Sequence, residues 1–451
     1  VTAMKNASLT GKKAIVVGLG ASGRAALELL LAQGAQVVGT DSSKIDKLPL
    51  SLRKLPVELV TGGHGGVAWD QADLVVLSPG VPAFAELELA RKAGAEIIGE
   101  VELASRFLDM PLLAVGGTNG KSTATTLLGH LVEAAGFRTF VGANLGEPAC
   151  EAPEQGPDVV VFEVSSFQME RVPTFKPQVA VLLNISEDHL DRYPDFQAYA
   201  GAKGNCFANQ TSDDVAIAPV DDAECLRQVR RGKGRLVTFG DRGDYTVEGH
   251  DVVEVKTGER FSLEHADLYG RHNHLNAAAA IAAARAFGIE PDDIAEGLRR
   301  FRALPHRMGL SSRYRGVTFY DDSKATNVGA AVTALSGLTE VRGVLLAGGR
   351  DKLGSYDTLV QALRKKGRAV VLIGEAADRL AEAIGDVVPI ERARSMSDAV
   401  HRAFRLAVPG DAVLLSPACS SLDMFKNYSE RGDRFTEAVQ ALSRSLDKEE
   451  S

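Results

Sequence analysis

One rhythm constrains this chain more than any other feature: short apolar runs alternate with amphipathic stretches along almost its whole length. KKAIVVGLG (12–20), QVVGTD (36–41) and DLVVLSPG (73–80) read as strands, with RAALELLLAQG (24–34) and PAFAELELARKAG (82–94) as the helices between them. Runs apolar at every position are buried on both faces, which is how parallel sheets under crossover helices read. A second series starts at LLAVGG (112–117), after a helix in EVELASRFLDM. It takes in DVVVFEVSS (158–166) and QVAVLLNIS (178–186), and closes on the alanine-rich helix LNAAAAIAAARAFG (275–288). A third follows LPHRM, with VTFYDDS, RGVLLAGG, RAVVLIG and DAVLLSP as strands. At 451 residues the chain is too long for one core. The expectation is an α/β protein of three units with boundaries near 108 and 305.

Composition narrows the function by exclusion. Apolar residues at 45% and charged residues at 24% are ordinary for a soluble globular chain, so disorder and coiled coil are excluded over most of the length. A net charge of −8 argues against a nucleic-acid partner held by bulk charge, while leaving room for local basic pockets. Cys150, Cys206, Cys225 and Cys419 are scattered, with neither metal-ligand spacing nor a paired framework. They fit a reducing compartment as small buried residues. No apolar run reaches the roughly 18 to 20 residues of a membrane span, and the N-terminus has no charged-then-apolar signal pattern. The expectation is a cytoplasmic protein with no membrane partner.

Two glycine turns follow predicted strands. In the first, Gly18, Gly20 and Gly23 form GxGxxG, where backbone N–H groups can approach a phosphate at a helix N-terminus. Asp41 ends the next strand, near the spacing of an acid that binds a ribose hydroxyl. The pattern reports a diphosphate-sized ligand, nicotinamide dinucleotide or UDP-linked, or simply close strand–helix packing. SPGVP (78–82) adds a second turn on the same side.

The second turn carries the chemistry. In LLAVGGTNGKSTATTLLGHLVEAAG (112–136), Gly117, Thr118, Asn119 and Gly120 precede Lys121, Ser122 and Thr123. Such a loop wraps the terminal phosphates of ATP, with Lys121 as cation and Ser122 placed for Mg²⁺. Val115 stands where the strict G-x-x-x-x-G-K-[ST] pattern has its first glycine, but the strand–loop–helix context is intact. Glu163 ends a buried strand, and Glu187, Asp188, His189 and Asp191 follow the next one. Strand C-termini share one edge of such a sheet, so these groups can converge on a triphosphate. Glu163 and His189 are candidate Mg²⁺ ligands. A lone histidine near a helix start can equally be a cap or a surface residue.

GTNGKST (117–123), NISEDHLDRY (184–193), GRHNHLNAAAA (270–280), LPHRM (304–308) and DDSKATN (321–327) together resemble the Mur ligases, which build the peptide stem of bacterial peptidoglycan. The resemblance covers nearly the whole chain. Within the family, GLGASG with SPG and the C-terminal SPACSSLDMFKNYSERG (416–432) look like the members that add D-glutamate to UDP-N-acetylmuramoyl-L-alanine. It implies a Rossmann-like UDP-sugar domain (1–107), a central P-loop ATPase-type domain with a mostly parallel sheet (108–304), and a Rossmann-like C-terminal domain for ATP and amino acid (305–451). It also implies ATP and Mg²⁺ as cofactors, an acyl-phosphate intermediate, and a monomer working on small molecules.

Carried over by motif, Gly117 to Thr123 hold the phosphates. Asn276, Arg307, Asp322 and Lys324 complete the ATP site, and Ser122, Glu163, His189 and Lys203 hold metal. Lys203 in QAYAGAKGN matches a lysine carbamylated in the family; without the resemblance it reads as a solvated helix residue. The implied catalytic set is Lys121, His189 and Lys203. Gly20, Ser22, Asp41, Ser42, Ser78, Asn144 and Ser165 match UDP-substrate contacts, with Ser43 standing where a basic residue is expected. Thr326, Lys352, Ser421 and Tyr428 match the surroundings of the incoming amino acid, with tyrosine at 428 in place of the usual phenylalanine. On the residues alone, Asn273 and Asn276 read as caps of the helix they begin. A nicotinamide-dependent oxidoreductase would leave everything after GKST idle. A nucleotide-gated binding protein would bind ATP without releasing phosphate, and a sister ligase would add a different residue.

Overall fold

The computed structural model describes residues 8–190, 192–351 and 355–449. Its first sheet is parallel throughout, in the order Glu58–Thr61, Gln36–Asp41, Lys13–Val17, Leu74–Leu77, Glu96–Gly99. Alternation along the central strand feeds two cores. Ala14 and Val16 pack with Leu27 and Leu30 of the helix Ala21–Ala32, while Ile15 and Val17 pack with Trp69 and Leu87 on the other face. The helix read over 82–94 is shorter, Glu86–Lys92. In the preceding stretch Phe84 stacks on His64 (4.7 Å between ring centres) and meets Trp69 edge-on.

The central sheet runs Arg260–Ser262, Asp251–Glu254, Tyr245–Glu248, Arg235–Phe239, Val215–Pro219, Val179–Leu182, Leu112–Gly116, Val159–Glu163, Thr139–Ala143. It is parallel except for the antiparallel pairings of the last three strands in sequence. Those three were not read from the sequence, because alternate residues such as Glu248 and Arg260 face solvent and break the apolar run. The third sheet is Gly309–Tyr314, Val317–Asp321, Ala412–Leu415, Gly343–Gly348, Gly367–Ile373, Ile390–Arg392, with only its first strand antiparallel. That first strand, also unread, is joined by the two-residue turn Arg315–Gly316, where both φ angles are positive (47° and 78°), the geometry a tight hairpin needs.

The first two sheets share one continuous apolar core. Leu103, Ala104 and Leu108 meet Ala149, Cys150, Met169 and Phe175 of the central unit. The helix Glu100–Arg106 pushes two carboxylates into this seam. Glu100 accepts from the Cys150 amide (2.8 Å), and burial pushes its carboxyl up to about 7. Glu102, fully buried, accepts from the amides of Thr174 (3.1 Å) and Phe175 (2.9 Å) and from Arg106 Nε (2.9 Å). The third unit has cores of its own and meets the central one through polar side chains and the ring of Tyr269, 5.9 Å from that of Tyr320.

Glu102→Ala would take the acceptor from the Thr174 and Phe175 amides, the second of them buried, while Arg106 keeps Glu96 as its partner, and should cost about 2 kcal/mol. Urea unfolding followed by the fluorescence of the single tryptophan, Trp69, reads this directly. A loss below about 1 kcal/mol would mean that the seam does not depend on Glu102.

Candidate functional site

The strand Leu112–Gly116 lies between Val159–Glu163 and Val179–Leu182, so its end is the middle of the sheet's carboxyl edge. The loop that leaves it is held in shape by its neighbours. The Thr118 amide donates to Asn184 O (2.9 Å), and its hydroxyl accepts from the Ser186 amide (3.1 Å) and pairs with Tyr199 OH (3.0 Å). Asn184 clasps Asn119 reciprocally: its Oδ1 accepts from the Asn119 amide (2.9 Å) and its Nδ2 donates to Asn119 O (3.0 Å). Gly120 has φ +81°, and a Cβ there would lie 2.4 Å from Asn276 Oδ1, so only glycine fits. The helix Lys121–Ala134 then begins with its first-turn N–H groups open toward the loop.

Two lysines converge on one carbonyl. Lys121 Nζ donates to Gly117 O (3.0 Å) and Thr118 O (2.8 Å), and Lys203 Nζ donates to the same Gly117 O (2.7 Å). The helix Phe196–Gly204, capped by Asp195, delivers Lys203 under the loop. Lys203 is buried, with its ammonium 4.7 Å from the Tyr199 ring centre, so the solvated position read from the residues alone is corrected. Burial, with Lys121 alongside, holds the Lys203 amine well below the usual lysine range. Burial also lowers Lys121, against the opposing pull of Glu163 and Asp188. A third cation arrives from the last unit, where Arg307 Nη2 donates to Ser122 Oγ. Thr123, like Ser122, is buried.

Glu163, at the end of its strand and buried, accepts from Asn144 Nδ2 through Oε1. Its buried Oε2 has no hydrogen-bond partner among the described residues. An orphaned carboxylate oxygen at this edge suits a cation. His189 sits at φ +55°, its amide bonded to Asp188 Oδ1 (3.0 Å) and its ring against Phe167 (4.8 Å). Among the described residues no three acidic, histidine or cysteine side chains gather into a ready-made cage. Mg²⁺ needs none, since one or two protein ligands with phosphate oxygens and water satisfy it.

The asparagine pair does not cap its helix, as the residues alone suggested. Gly270 holds the cap position of Arg271–Phe287, Asn273 Nδ2 donates back to Tyr269 O (2.9 Å), and Asn276 Nδ2 donates to Asn273 Oδ1 (3.2 Å). Asn276 is instead packed against the glycine loop.

In the last unit, Asp322 accepts from the Met308 amide (3.2 Å) and Ser416 Oγ (2.9 Å), and burial pushes its carboxyl up to about 7. The Lys324 amide donates to His306 O (3.1 Å), and its ammonium lies 3.8 Å from the Tyr428 ring centre. The Thr326 amide donates to Lys324 O (2.8 Å), and Ser421 is buried. Lys352 and Asp191 lie outside the described residues. Sequence reading passed over Arg431, which is fully buried and donates to Ser323 Oγ (3.0 Å), Ser323 O (2.8 Å) and Cys419 O (3.2 Å). It pins the start of the final helix to DDSKATN. The only signal was a charged residue inside SPACSSLDMFKNYSERG. Asn184, Tyr199 and the His306–Asp321 pair (2.7 Å) were passed over too, all within or beside quoted motifs.

At the carboxyl edge of the first sheet, Ser78 Oγ donates to Gly18 O (2.6 Å), tying the two turns together. Asp41 accepts from the amides of Leu19 (2.6 Å) and Ser43 (2.7 Å), so its first task is to brace the glycine turn. Gly20 and Ser42 are exposed and Ser22 is half-buried. Ser165, half-buried, pairs with Gln168 Oε1 (3.1 Å), and Asn144 lies with Glu163 on the central sheet.

Comparison with known proteins agrees with this geometry. Residues 12–99 match the Mur ligase MurD-like N-terminal domain, 115–284 the Mur ligase middle domain, and 306–419 the glutamate ligase domain of Mur ligases. The UDP-N-acetylmuramoylalanine–D-glutamate ligase of Trichlorobacter lovleyi is 43% identical over 449 residues, covering 96% of this chain and 100% of that one. That of Desulfosudis oleivorans is 44% identical over 452 residues, covering 97% and 98%. The chain belongs to the Mur ligase family. Solved Mur-type structures share its fold at low identity. A pseudomurein peptide ligase type C from Methanothermus fervidus aligns at TM-score 0.62 with 20% identity, covering 96% of this chain and 100% of that one. The MurF ligase of Thermotoga maritima in complex with ADP aligns at 0.59 with 16% identity, covering 99% and 97%.

Asp322 gives a pH prediction. Its carboxyl rises from 3.8 to about 7 on folding, so the folded state takes up a proton, and the stability this brings fades as pH climbs through that window. Asp322→Asn removes the cost of the buried charge. Its melting temperature should therefore exceed that of the wild type by more at pH 8 than at pH 5. A pH-independent difference, measured calorimetrically without ligand, would contradict the assignment.

Proposed function

We propose that this Mur ligase is an ATP-dependent enzyme that joins D-glutamate to UDP-N-acetylmuramoyl-L-alanine, through an acyl phosphate, in peptidoglycan precursor synthesis. The observation that carries the reading is the meeting of Lys121, Lys203 and Arg307 at the Gly117–Ser122 loop, beside the half-orphaned Glu163. Relatives carrying that enzyme name match over nearly the full length of both chains, which supports the amino acid and acceptor. The divisions at 107/108 and 304/305 fall between sheets, which supports three units; the family resemblance gives the UDP-sugar to the first, ATP to the second and ATP with the amino acid to the third.

A carboxylate and an amine do not condense in water, because the carboxylate is a poor electrophile with a poor leaving group. Transfer of the terminal phosphoryl group of ATP to a carboxylate oxygen supplies the leaving group. The amine of D-glutamate, once neutral, attacks the carbonyl carbon, and the tetrahedral intermediate collapses to amide and inorganic phosphate. Backbone N–H groups of the loop, with Lys121 and Arg307, spread the charge that moves during transfer. Ser122, Glu163, His189 and Lys203 would hold Mg²⁺, which when bound neutralises phosphate charge. Lys203 suits that role as a carbamate: burial lowers its pKa and so favours the neutral amine, the form that adds carbon dioxide with loss of a proton and ends as an anion. Asn276, Asp322 and Lys324 complete the nucleotide side. Thr326, Ser421 and Tyr428 face the amino acid, and the family motif assigns Lys352 to the same substrate. Gly20, Ser22, Asp41, Ser42, Ser78, Asn144 and Ser165 face the UDP-substrate. An acyl phosphate hydrolyses readily, so closure of the third unit about Leu304–Pro305 shields it.

A phosphate-release assay over a panel of UDP-muramoyl acceptors and amino acids tests the reading. Release should require UDP-N-acetylmuramoyl-L-alanine and D-glutamate together. Lys121→Ala should abolish it while leaving affinity for the UDP-substrate nearly unchanged. Release with a different amino acid would point to a sister ligase, and no release with any pair would point to a binding protein.

A further inference from the structure

One side chain of the third unit touches the nucleotide edge of the central unit at two separate places. Asn327 stands at the N-cap of the helix Val328–Ser336, where its Oδ1 accepts from the Ala330 amide (2.8 Å). Its amide nitrogen then has two hydrogens to spare. Nδ2 lies 3.4 Å from Asn119 Oδ1 in the glycine loop and 3.3 Å from Asp188 Oδ2 in the segment after the next strand. Gly329, two residues on, lies against the same pair of segments: a Cβ there would be 3.4 Å from Asn119 Nδ2 and 3.5 Å from Ser186 Oγ.

Both acceptors are anchored from behind. Asn119 is clasped by Asn184, and the other oxygen of Asp188 accepts from the His189 amide. Contacts to Asn327 therefore bear on the loop that takes the phosphates and on the residue that orients His189. The two acceptors belong to the central unit and the donor to the third, so both bonds form only when the third unit is docked. The contact is polar and small, unlike the apolar seam between the first two units. It can be made and broken in a catalytic cycle.

We propose that Asn327 is a positioning residue, a latch that reports docking of the third unit to the glycine loop and to the Asp188–His189 segment at once. This deepens the ligase reading and rests on it for its kinetic readout alone. A cap with no further role is the competing explanation, and the two part cleanly. Serine and aspartate cap helices about as well as asparagine. Serine is too short to reach Asn119 or Asp188, and aspartate has no hydrogen to donate and sets a carboxylate beside Asp188.

The experiment compares Asn327→Ser and Asn327→Asp with the wild-type full chain. Both variants should keep the wild-type melting temperature and affinity for the UDP-substrate. Turnover should fall about tenfold, as expected for losing hydrogen bonds made only in the closed state. Small-angle scattering with a non-hydrolysable ATP analogue, UDP-substrate and D-glutamate should show compaction for the wild type and less for either variant. If both variants turn over and compact as the wild type does, Asn327 is a cap only and the latch is overturned. Scattering also separates the two readings: a wild type that compacts but forms no amide refutes the ligase assignment, while the variants' compaction still decides the latch.

Discussion

The structure turns on a crowding of positive charge at one carbonyl. Gly117 O receives both Lys121 and Lys203, and Arg307 stands on the next turn of chain at Ser122. Burial makes each charge costly and a like charge alongside adds to it, Lys121 for Lys203 and Arg307 for Lys121, so both lysines lie below the usual range. Glu163 offsets part of it and leaves one oxygen unsatisfied. Such an arrangement is stable only because the surrounding fold over-determines it. Phosphate oxygens arriving at the loop would replace the carbonyls that Lys121 contacts, so this crowding of cations favours a polyanion. Carbamylation of Lys203 would remove one of the clustered cations and add an anion, relieving the remainder.

Around this point the three units differ in how they are joined. The first and second share a core in which Glu100 and Glu102 reach across to bind backbone amides, so the carboxyl edge of the first sheet and the glycine loop keep a constant relation. The third meets the second through Arg307 and Asn327, contacts that water can replace, and through the ring of Tyr269 against Tyr320 rather than a shared core. Strong coupling on one side and weak on the other is what a ligase needs that aligns a long acceptor in advance and encloses a hydrolysable intermediate only when all reactants are present.

Much of this was legible in the sequence. Fully buried strands such as Leu112–Gly116 and Val159–Glu163 announced themselves as apolar runs, and the glycine loop was recognisable despite Val115. What escaped had physical reasons. The three strands over 245–262, at one end of the central sheet, and the edge strand Gly309–Tyr314 are half-exposed, so polar residues interrupt their apolar runs. Lys203 looked solvated because no local pattern says that its helix lies under a loop more than eighty residues away. Asn273 and Asn276 looked like caps because that is what asparagine at a helix start usually does, and only the approach of Gly120 reveals otherwise. Asp41 matched a ligand-binding position, yet its oxygens brace the turn first. Arg431 and Asn327 act between elements distant in sequence, which spacing cannot report.

The central claim is that the group leaving ATP passes to a carboxylate oxygen held at this loop. It is tested most directly by isotope transfer. With both oxygens of the acceptor's terminal carboxylate labelled with ¹⁸O, one labelled oxygen should appear in each phosphate released, as read by mass spectrometry. Phosphate released alongside new amide but free of the label would contradict the account.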